Sequence, residues 1–140
     1  MLWLECRTSK NISILIAVCY QPPGLDVQSK QHYCDSFCSA LTLLSNTHLI
    51  EVVGDFNDPS PQRPLHRQSS LSRVLSSFGL QHLINEPTCQ ENILDWFLTN
   101  KPEVIVNSGV LPPLTSLDHC LIFAEVLYTL KSPSPQHVNL

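Results

Sequence analysis

The sequence has 140 residues, of which 43% are hydrophobic and only 14% are charged, with 11 prolines and 4 glycines. This length suits one folded domain with a core of its own, so a chain disordered throughout is excluded. Lys and Arg number 8 against 12 Asp and Glu, a formal net charge of −4, so contact with nucleic acid would need a local basic patch.

The first half of the chain predicts two strands, a helix and a buried strand. Segments 2–7 and 12–20 are β-rich and flank a short polar stretch, which favours an antiparallel hairpin. Apolar residues then recur at three- and four-residue spacing over 31–46, a helix that should pack on a sheet. The run 49–53 predicts a buried strand that ends abruptly at the polar residues 54–59.

The second half predicts a surface loop at 58–68, which carries Arg63 and Arg67, and a helix at 69–79 that a serine caps. Three more strands are predicted at 93–98, 104–106 and 121–130. The last is almost entirely apolar, so we expect cover on both faces. Strands, long excursions and two helices together predict a mixed α/β layered fold.

No segment is long and apolar enough to span a bilayer, because 12–20 is the longest apolar run and about 20 residues are needed. The N-terminus lacks the basic region and cleavage site of a secretion signal. The 6 cysteines are few for a disulfide scaffold, and most lie within apolar predicted elements. We therefore expect free thiols and an intracellular protein, nuclear or cytoplasmic, that is not secreted and does not bind membranes.

Asp55 and Asn57 follow the buried strand 49–53. In extended backbone their side chains would point the same way, about 7 Å apart, and could orient one water or one phosphate oxygen. The alternative is an Asx turn that closes the strand, with Gly54 and Pro59 as turn residues. The sequence favours neither interpretation.

Asp118 and His119 precede the last strand, where a loop could aim both at one bound phosphate. The dipeptide alone favours a plain surface turn. Asp95 has apolar neighbours on both sides, and burial of an unpaired carboxylate costs several kcal/mol, so it needs a partner. His119 is the candidate, because such a bond would orient its imidazole. The less favoured alternative is that Asp95 points outward from an edge strand.

Five motifs follow one another along the chain: Y-Q-P-P at 20–23, G-D-F-N at 54–57, N-E-P-T at 85–88, L-D-W-F-L-T-N at 94–100 and S-L-D-H at 116–119. Their order and wording resemble the C-terminal part of an endonuclease/exonuclease/phosphatase domain. They are most similar to the endonuclease of non-LTR (LINE-type) retrotransposons. The resemblance implies a partial four-layered α/β sandwich of the DNase I-like type, without its N-terminal strands, over residues 1–130. The tail 131–140 is expected to be disordered.

The resemblance implies Mg²⁺-dependent hydrolysis of a DNA phosphodiester by an attacking water. By position, Asp55 would act on that water as base or orienter, and Asn57 would hold it together with a phosphate oxygen. Tyr20 would contact the scissile phosphate.

For the remaining positions, the resemblance implies that Asp118 is a metal-side carboxylate. His119 would donate to the phosphate and stabilise the charge of the transition state, held by Asp95. The early Asn and the Glu that is the family's main Mg²⁺ ligand have no counterpart. Leu117 stands where the family usually has Ser, and Gln21 where it often has Arg. Mg²⁺ is therefore expected to bind weakly or not at all.

Two functions follow from these departures. The first is an impaired, retrotransposon-derived DNA endonuclease, with weak and salt-dependent DNA contacts through Arg63 and Arg67. The alternative is a non-catalytic remnant of a mobile-element reading frame, which at most binds nucleic acid or protein. Half of a two-sheet sandwich also predicts an exposed apolar patch along 12–20 and 121–130, which would favour self-association.

Overall fold

The computed structural model describes residues 1–8, 11–44 and 49–127. Within them the secondary structure is, in chain order, β1 (Leu2–Arg7), β2 (Ser13–Tyr20), α1 (Val27–Leu44), β3 (Leu49–Asp55), α2 (Ser70–Ser77), β4 (Gln81–His82), β5 (Asp95–Thr99), β6 (Ile105–Leu111) and β7 (Leu121–Val126). The predicted mixed α/β class is confirmed. The tail 131–140 and the end of the predicted last strand lie outside the described residues.

The main sheet has five strands in the order β1-β2-β3-β5-β4. β1 and β2 form the predicted antiparallel hairpin, and β3 pairs antiparallel with β5. β2 and β3 are parallel, and α1 supplies the long crossover that parallel neighbours require. β2 and β3 therefore reach the same edge of the sheet with their carboxyl ends.

One face of this sheet forms the core with the two helices. Ala17, Val52 and Leu98 are register partners across β2, β3 and β5, and all three are buried. Phe37 and Leu41 of α1 are fully buried in the same cluster. Burial of each large apolar side chain contributes roughly 1.5–3 kcal/mol, so this layer holds the sheet in place.

Both helices have polar caps. α1 begins at Val27, four residues before the predicted start, because the Asp26 carboxylate accepts hydrogen bonds from the Ser29 backbone N–H at 2.9 Å and its hydroxyl at 2.8 Å. The apolar periodicity starts later than this cap. In α2 the Ser69 hydroxyl accepts from the Ser72 N–H at 3.1 Å, and Gly79 follows with φ +76°, as the sequence predicts.

A second sheet consists of the antiparallel hairpin β6–β7. Ile122 and Ala124 of β7 pack against the core while remaining partly exposed. The expectation that β7 is covered on both faces is wrong, because none of its residues is buried and Leu121 is exposed.

The predicted apolar patch on the second strand is only partly present. β2 lies inside the main sheet, and its Ile14 is buried, so the segment is not exposed as a whole. Three apolar side chains are exposed where β1 and β2 pair: Leu2 is 58% exposed, Leu4 44% and Val18 42%. These three residues lie on the face opposite the helices, and we call them the exposed strand patch.

All 6 cysteines are free, as predicted. Cys19 is buried beneath α1, and this burial raises the pKa of its thiol to about 12. Among the described helices, none has the length and apolar character that a membrane span requires.

Candidate active site

A row of three polar side chains crosses the main sheet at one end. Tyr20 on β2 is the register partner of Asp55 on β3, and Asp55 is the partner of Asp95 on β5. Directly opposed residues place their side chains on the same face, with Cβ atoms about 4.5–5.5 Å apart. The fold therefore brings together three positions that are 35 and 40 residues apart in sequence (20 to 55, 55 to 95).

His119 joins this row through Asp95. The imidazole Nδ1 lies 2.8 Å from Asp95 Oδ2, and the Asp95 side chain is only 14% exposed. The predicted Asp95–His119 contact is confirmed, and an outward-pointing Asp95 is wrong. The hydrogen bond to Asp95 raises the pKa of His119, although partial burial opposes it. His119 is thereby biased toward the protonated form.

Asp55 and Asn57 are closer than extended backbone would allow. β3 ends at Asp55, and Asn57 adopts a positive φ of +46°. Asp55 Oδ1 accepts from the Asn57 backbone N–H at 2.9 Å, and Oδ2 accepts from Asn57 Nδ2 at 3.1 Å. The predicted 7 Å spacing is therefore wrong, because the strand ends before Asn57. The Asx turn is present, and it also orients the Asp55 carboxylate.

Gly54 is not a turn residue, in contrast to the sequence-based alternative. It lies within β3 at φ +148°, and a Cβ there would overlap the Cys19 carbonyl of β2. Asn57 also donates from Nδ2 to the Gln21 carbonyl at 2.9 Å, and the Gln21 N–H donates to the Asp55 carbonyl at 2.8 Å. The ends of β2 and β3 are thus tied together beside the site.

The Asp55 carboxylate is partly desolvated. Burial raises its pKa, and the neighbouring Asp95 carboxylate acts in the same direction, whereas the Asn57 N–H groups and His119 oppose the shift. A carboxylate with a raised pKa is a stronger base than an exposed one. Asp55 is therefore suited to accept a proton from a bound water.

The aromatic ring of the G-D-F-N motif anchors the loop. Phe56 is fully buried and stacks on Trp96, with 4.2 Å between ring centroids. The Phe56 N–H donates to the Leu94 carbonyl at 2.9 Å, and Trp96 Nε1 donates to the Asp58 carbonyl at 3.1 Å. Residues on either side of Phe56 are therefore held rigidly, as an oriented carboxylate requires.

Thr88 is a positioning residue to which the sequence assigned no role, although it lies in the N-E-P-T motif. It is fully buried, and its hydroxyl accepts from the Leu94 and Asp95 N–H groups, each at 3.0 Å. Its carbonyl accepts from the Cys120 N–H at 2.7 Å. Thr88 therefore fixes both backbones that carry the Asp95–His119 pair, and its bond to Leu94 explains why β5 starts later than predicted.

We expect Thr88→Val to lower the free energy of unfolding by about 2–4 kcal/mol, because two buried N–H donors lose their acceptor. Thr88→Ser retains the hydroxyl and should cost only about 1 kcal/mol for the lost methyl group. Urea unfolding followed by circular dichroism measures both values. Equal losses in the two variants would show that the hydroxyl is not the stabilising group.

Two clusters in the described chain could hold a metal ion. Asp55, Asp95 and His119 place ligand atoms within 4.8 Å of one another, and so do Cys89, Asp118 and His119. Asp118 is exposed, and the structure groups it with Cys89 rather than with the two other carboxylates. His119 belongs to both clusters.

The donor sets do not fit Mg²⁺ as a resident ion. Mg²⁺ requires oxygen ligands in near-octahedral geometry. Both Asp55 oxygens accept hydrogen bonds from Asn57, and Asp95 binds the imidazole of His119. Asp118 has a thiol and an imidazole as its neighbours in the second cluster.

The predicted DNA-contacting residues lie in the loop that follows the Asx turn. Arg63 follows the 3-10 turn Ser60–Gln62, and Arg67 ends the turn Leu65–Arg67, both exposed. Neither has an ion-pair partner in the described ranges 1–8, 11–44 and 49–127. Because both side chains are exposed and unpaired within these ranges, they are available to an external anion.

Comparison with solved structures identifies the fold. The endonuclease domain of TRAS1, a telomere-specific non-LTR retrotransposon, has a TM-score of 0.73 and 19% identity, over 92% of this chain and 64% of that domain. The 3′ phosphatase NExo from Neisseria, solved with a product DNA hairpin, has a TM-score of 0.59 and 13% identity, over 90% of this chain.

No family model and no curated protein matches the chain. The chain covers 64% of the TRAS1 domain and 65% of NExo, so it spans slightly less than two thirds of each. The five-stranded sheet with two helices and a separate two-stranded hairpin therefore has the fold of the TRAS1 endonuclease domain, as the ordered motifs predict.

Proposed function

We propose that this chain catalyses slow hydrolysis of a DNA phosphodiester, as an impaired endonuclease of retrotransposon origin. The observation that carries the proposal is the convergence of Asp55, Asp95 and His119, whose ligand atoms lie within 4.8 Å of one another. A base, an imidazole and the carboxylate that orients it are the groups that water attack on a phosphate needs. The two structural neighbours support the choice of DNA as substrate.

Asp55 is the proposed base. Its carboxylate is fixed by the two hydrogen bonds from Asn57, and its raised pKa favours transfer of a proton from the attacking water. The proton moves from the water to a carboxylate oxygen as the oxygen–phosphorus bond forms. The bond from phosphorus to the 3′ oxygen of the DNA breaks, and that oxygen takes a proton from solvent and leaves as a 3′-hydroxyl. Asn57 keeps that carboxylate in one orientation, since its Nδ2 is also bound to the Gln21 carbonyl.

His119 is the proposed donor to the phosphate. Its Nδ1 is bound to Asp95, so Nε2 is the ring nitrogen that can face a non-bridging oxygen. The protonated imidazole stabilises the negative charge that develops on that oxygen. Tyr20, exposed at the other end of the row, is placed to donate its hydroxyl to the same phosphate.

A plasmid-nicking assay tests this function. Supercoiled DNA is incubated with the chain in Mg²⁺ or in EDTA, since the resemblance implies Mg²⁺. We expect Asp55→Asn and His119→Ala each to lower the nicking rate by about 10²–10³-fold, because general-base and charge-stabilising groups contribute on this scale. His32→Ala, an exposed residue of α1, is the matched control and should nick as the unmodified chain does. Nicking that survives both active-site changes would contradict the proposal.

The alternative function is a non-catalytic scaffold that binds DNA. One observation favours it: the donor sets of the two clusters do not fit Mg²⁺. Absence of nicking in every variant, with DNA binding that weakens as salt rises, would establish this alternative. Arg63 and Arg67 are the proposed phosphate contacts in both cases.

The free thiols support action inside the cell, in the nucleus or the cytoplasm.

We also propose that the exposed strand patch supports self-association. Leu2, Leu4 and Val18 form one apolar surface across β1 and β2, of the kind that rarely stays uncovered. Sedimentation velocity over a concentration series should show dimers or larger species, and Val18→Lys should reduce them. A concentration-independent monomer would contradict this proposal.

A further inference from the structure

The second cluster consists of Cys89, Asp118 and His119. Backbone pairing brings these residues together although Cys89 is far from the other two in sequence. Cys89 and His119 form an isolated antiparallel bridge, so the two residues lie directly opposite each other. The neighbouring Cys120 N–H donates to the Thr88 carbonyl at 2.7 Å. Backbone pairing therefore sets the thiol and the imidazole side by side. We call these three residues the cysteine cluster.

A tight turn fixes the cysteine from its other side. The Cys89 N–H donates to the Asn92 carbonyl at 3.0 Å, and the Asn92 N–H donates back to the Cys89 carbonyl at 3.0 Å. Gln90 within this turn adopts a positive φ of +53°. Cys89 itself is buried, whereas Asp118 is exposed and can adjust its position. The backbone therefore fixes the positions of Cys89 and His119, whereas the third ligand, Asp118, has an exposed side chain.

The donor types select a class of metal. A thiolate, an imidazole nitrogen and a carboxylate oxygen are the ligands that Zn²⁺ accepts, whereas Mg²⁺ takes only oxygen. Tetrahedral Zn²⁺ with bonds of about 2.0–2.3 Å needs ligand atoms about 3.3–3.8 Å apart. The cluster atoms already lie within 4.8 Å of one another, so small movements of these side chains are sufficient.

The contact between Asp95 and His119 is a second observation that points to a ligand. Metal-binding histidines commonly donate their other ring N–H to a carboxylate, which fixes the tautomer and the ring orientation. His119 Nδ1 is bound to Asp95 at 2.8 Å, so Nε2 carries the free lone pair in the neutral ring. The imidazole is therefore held as a metal ligand would be.

We propose that Cys89, Asp118 and His119 form a binding site for Zn²⁺, with the fourth position open. Binding releases the Cys89 thiol proton to solvent, and the thiolate, the Asp118 carboxylate and His119 Nε2 become the ligands. Because the same His119 would face a phosphate, Zn²⁺ and DNA phosphate compete for it. The metal site depends on the cluster alone, so it does not require that the chain be catalytic.

Titration of the full chain with Co²⁺, a spectroscopic substitute for Zn²⁺, tests the site. We expect a thiolate-to-Co²⁺ charge-transfer band in the near ultraviolet that is lost when Zn²⁺ is added. Cys89→Ser should abolish the band. Cys120→Ser is the matched control, because Cys120 is adjacent to His119 but lies outside the cluster, and it should keep the band.

A further variant keeps the test decisive if Cys89→Ser disturbs the turn. Asp95→Asn leaves every ligand in place and should weaken Co²⁺ binding about 10–100-fold, as loss of a carboxylate behind a ligating histidine does. Circular dichroism confirms that each variant is folded. A folded chain without the band, or a band that Cys120→Ser removes and Cys89→Ser does not, would overturn the proposal. The readout is independent of nicking, so failure of the proposed hydrolysis leaves it intact.

Discussion

Replacement of Asp95 with asparagine should lower the rate of DNA cleavage by about 10²–10⁴-fold with little change in the fold. The Asp95 carboxylate accepts from His119 Nδ1 at 2.8 Å. An asparagine amide can present its NH₂ to that nitrogen, which keeps Nδ1 unprotonated, so the ring stays neutral and loses the positive charge that stabilises the phosphate. Asp95 acts through His119, so its role is that of a positioning residue.

The pH dependence of kcat/KM distinguishes this role from a structural one. In the proposed mechanism Asp55 is deprotonated and His119 protonated, so the rate is expected to rise as Asp55 loses its proton and to fall as His119 loses its own. Asp95 raises both pKa values, that of His119 by hydrogen bonding and that of Asp55 by charge. Asp95→Asn should therefore move both limbs of the profile to lower pH.

The control for this experiment is Asp35→Asn on the exposed side of α1. It removes the same charge from the chain without contact with the row of Tyr20, Asp55 and Asp95, so its profile should match that of the unmodified chain. A purely structural role for Asp95 predicts a lower rate with unmoved limbs. That result would contradict the assignment of His119 as the protonated donor.

The contact between Asp95 and His119 could be predicted because its physical reason is contained in the sequence. An acid among apolar residues must find a partner, and the desolvation cost sets that requirement regardless of the fold. The first strand was predictable from its β-rich composition, since the predicted segment 2–7 coincides with β1 at Leu2–Arg7.

The geometry of Asp55 and Asn57 could not be predicted in this way. Whether a strand continues for two more residues depends on the pairing partner, and here β3 and β5 pair only as far as Asp55 and Asp95. Beyond that point Asn57 is free to take the left-handed conformation that its short amide tolerates.

The roles of Thr88 and Cys89 depend on tertiary contacts. Both follow from the backbone of 88–92 lying against 118–120, a pairing that no local periodicity encodes. The N-E-P-T motif identified the segment, but it did not indicate which atom would hold the backbone of Leu94 and Asp95. The hydroxyl of Thr88 became identifiable only when two N–H groups were found to share it.

Acid should destabilise this chain through His82, a half-buried residue outside the site whose ring nitrogen Nε2 is fully buried. Its ring lies edge-on to Trp96 at 5.8 Å between centroids, and its Nε2 is buried with no hydrogen-bond partner in the described structure. A proton on that nitrogen would place an unpaired positive charge in the core. Burial therefore lowers the pKa of His82 to about 4, although a hydrogen bond to the Ile84 backbone opposes the shift.

The sign of the effect follows from linkage. The unfolded chain takes up the His82 proton near pH 6.5, and the folded chain only near pH 4, so between these values the unfolded state binds more protons. The contribution of neutral His82 is fully present above pH 6.5 and is lost as the pH falls toward 4. A difference of this size in pKa corresponds to about 3 kcal/mol in the free energy of unfolding.

His82→Gln should remove this pH dependence, because glutamine does not titrate and can still bond to the Ile84 backbone. The measurement is urea unfolding of both chains at several pH values between 7 and 4, with the difference between the two curves as the readout. The carboxylates contribute equally to both chains, so the difference isolates His82. His66→Gln removes an exposed histidine and should leave the dependence unchanged. Parallel curves for His82→Gln and the unmodified chain would mean that His82 is protonated without penalty, which its buried Nε2 does not allow.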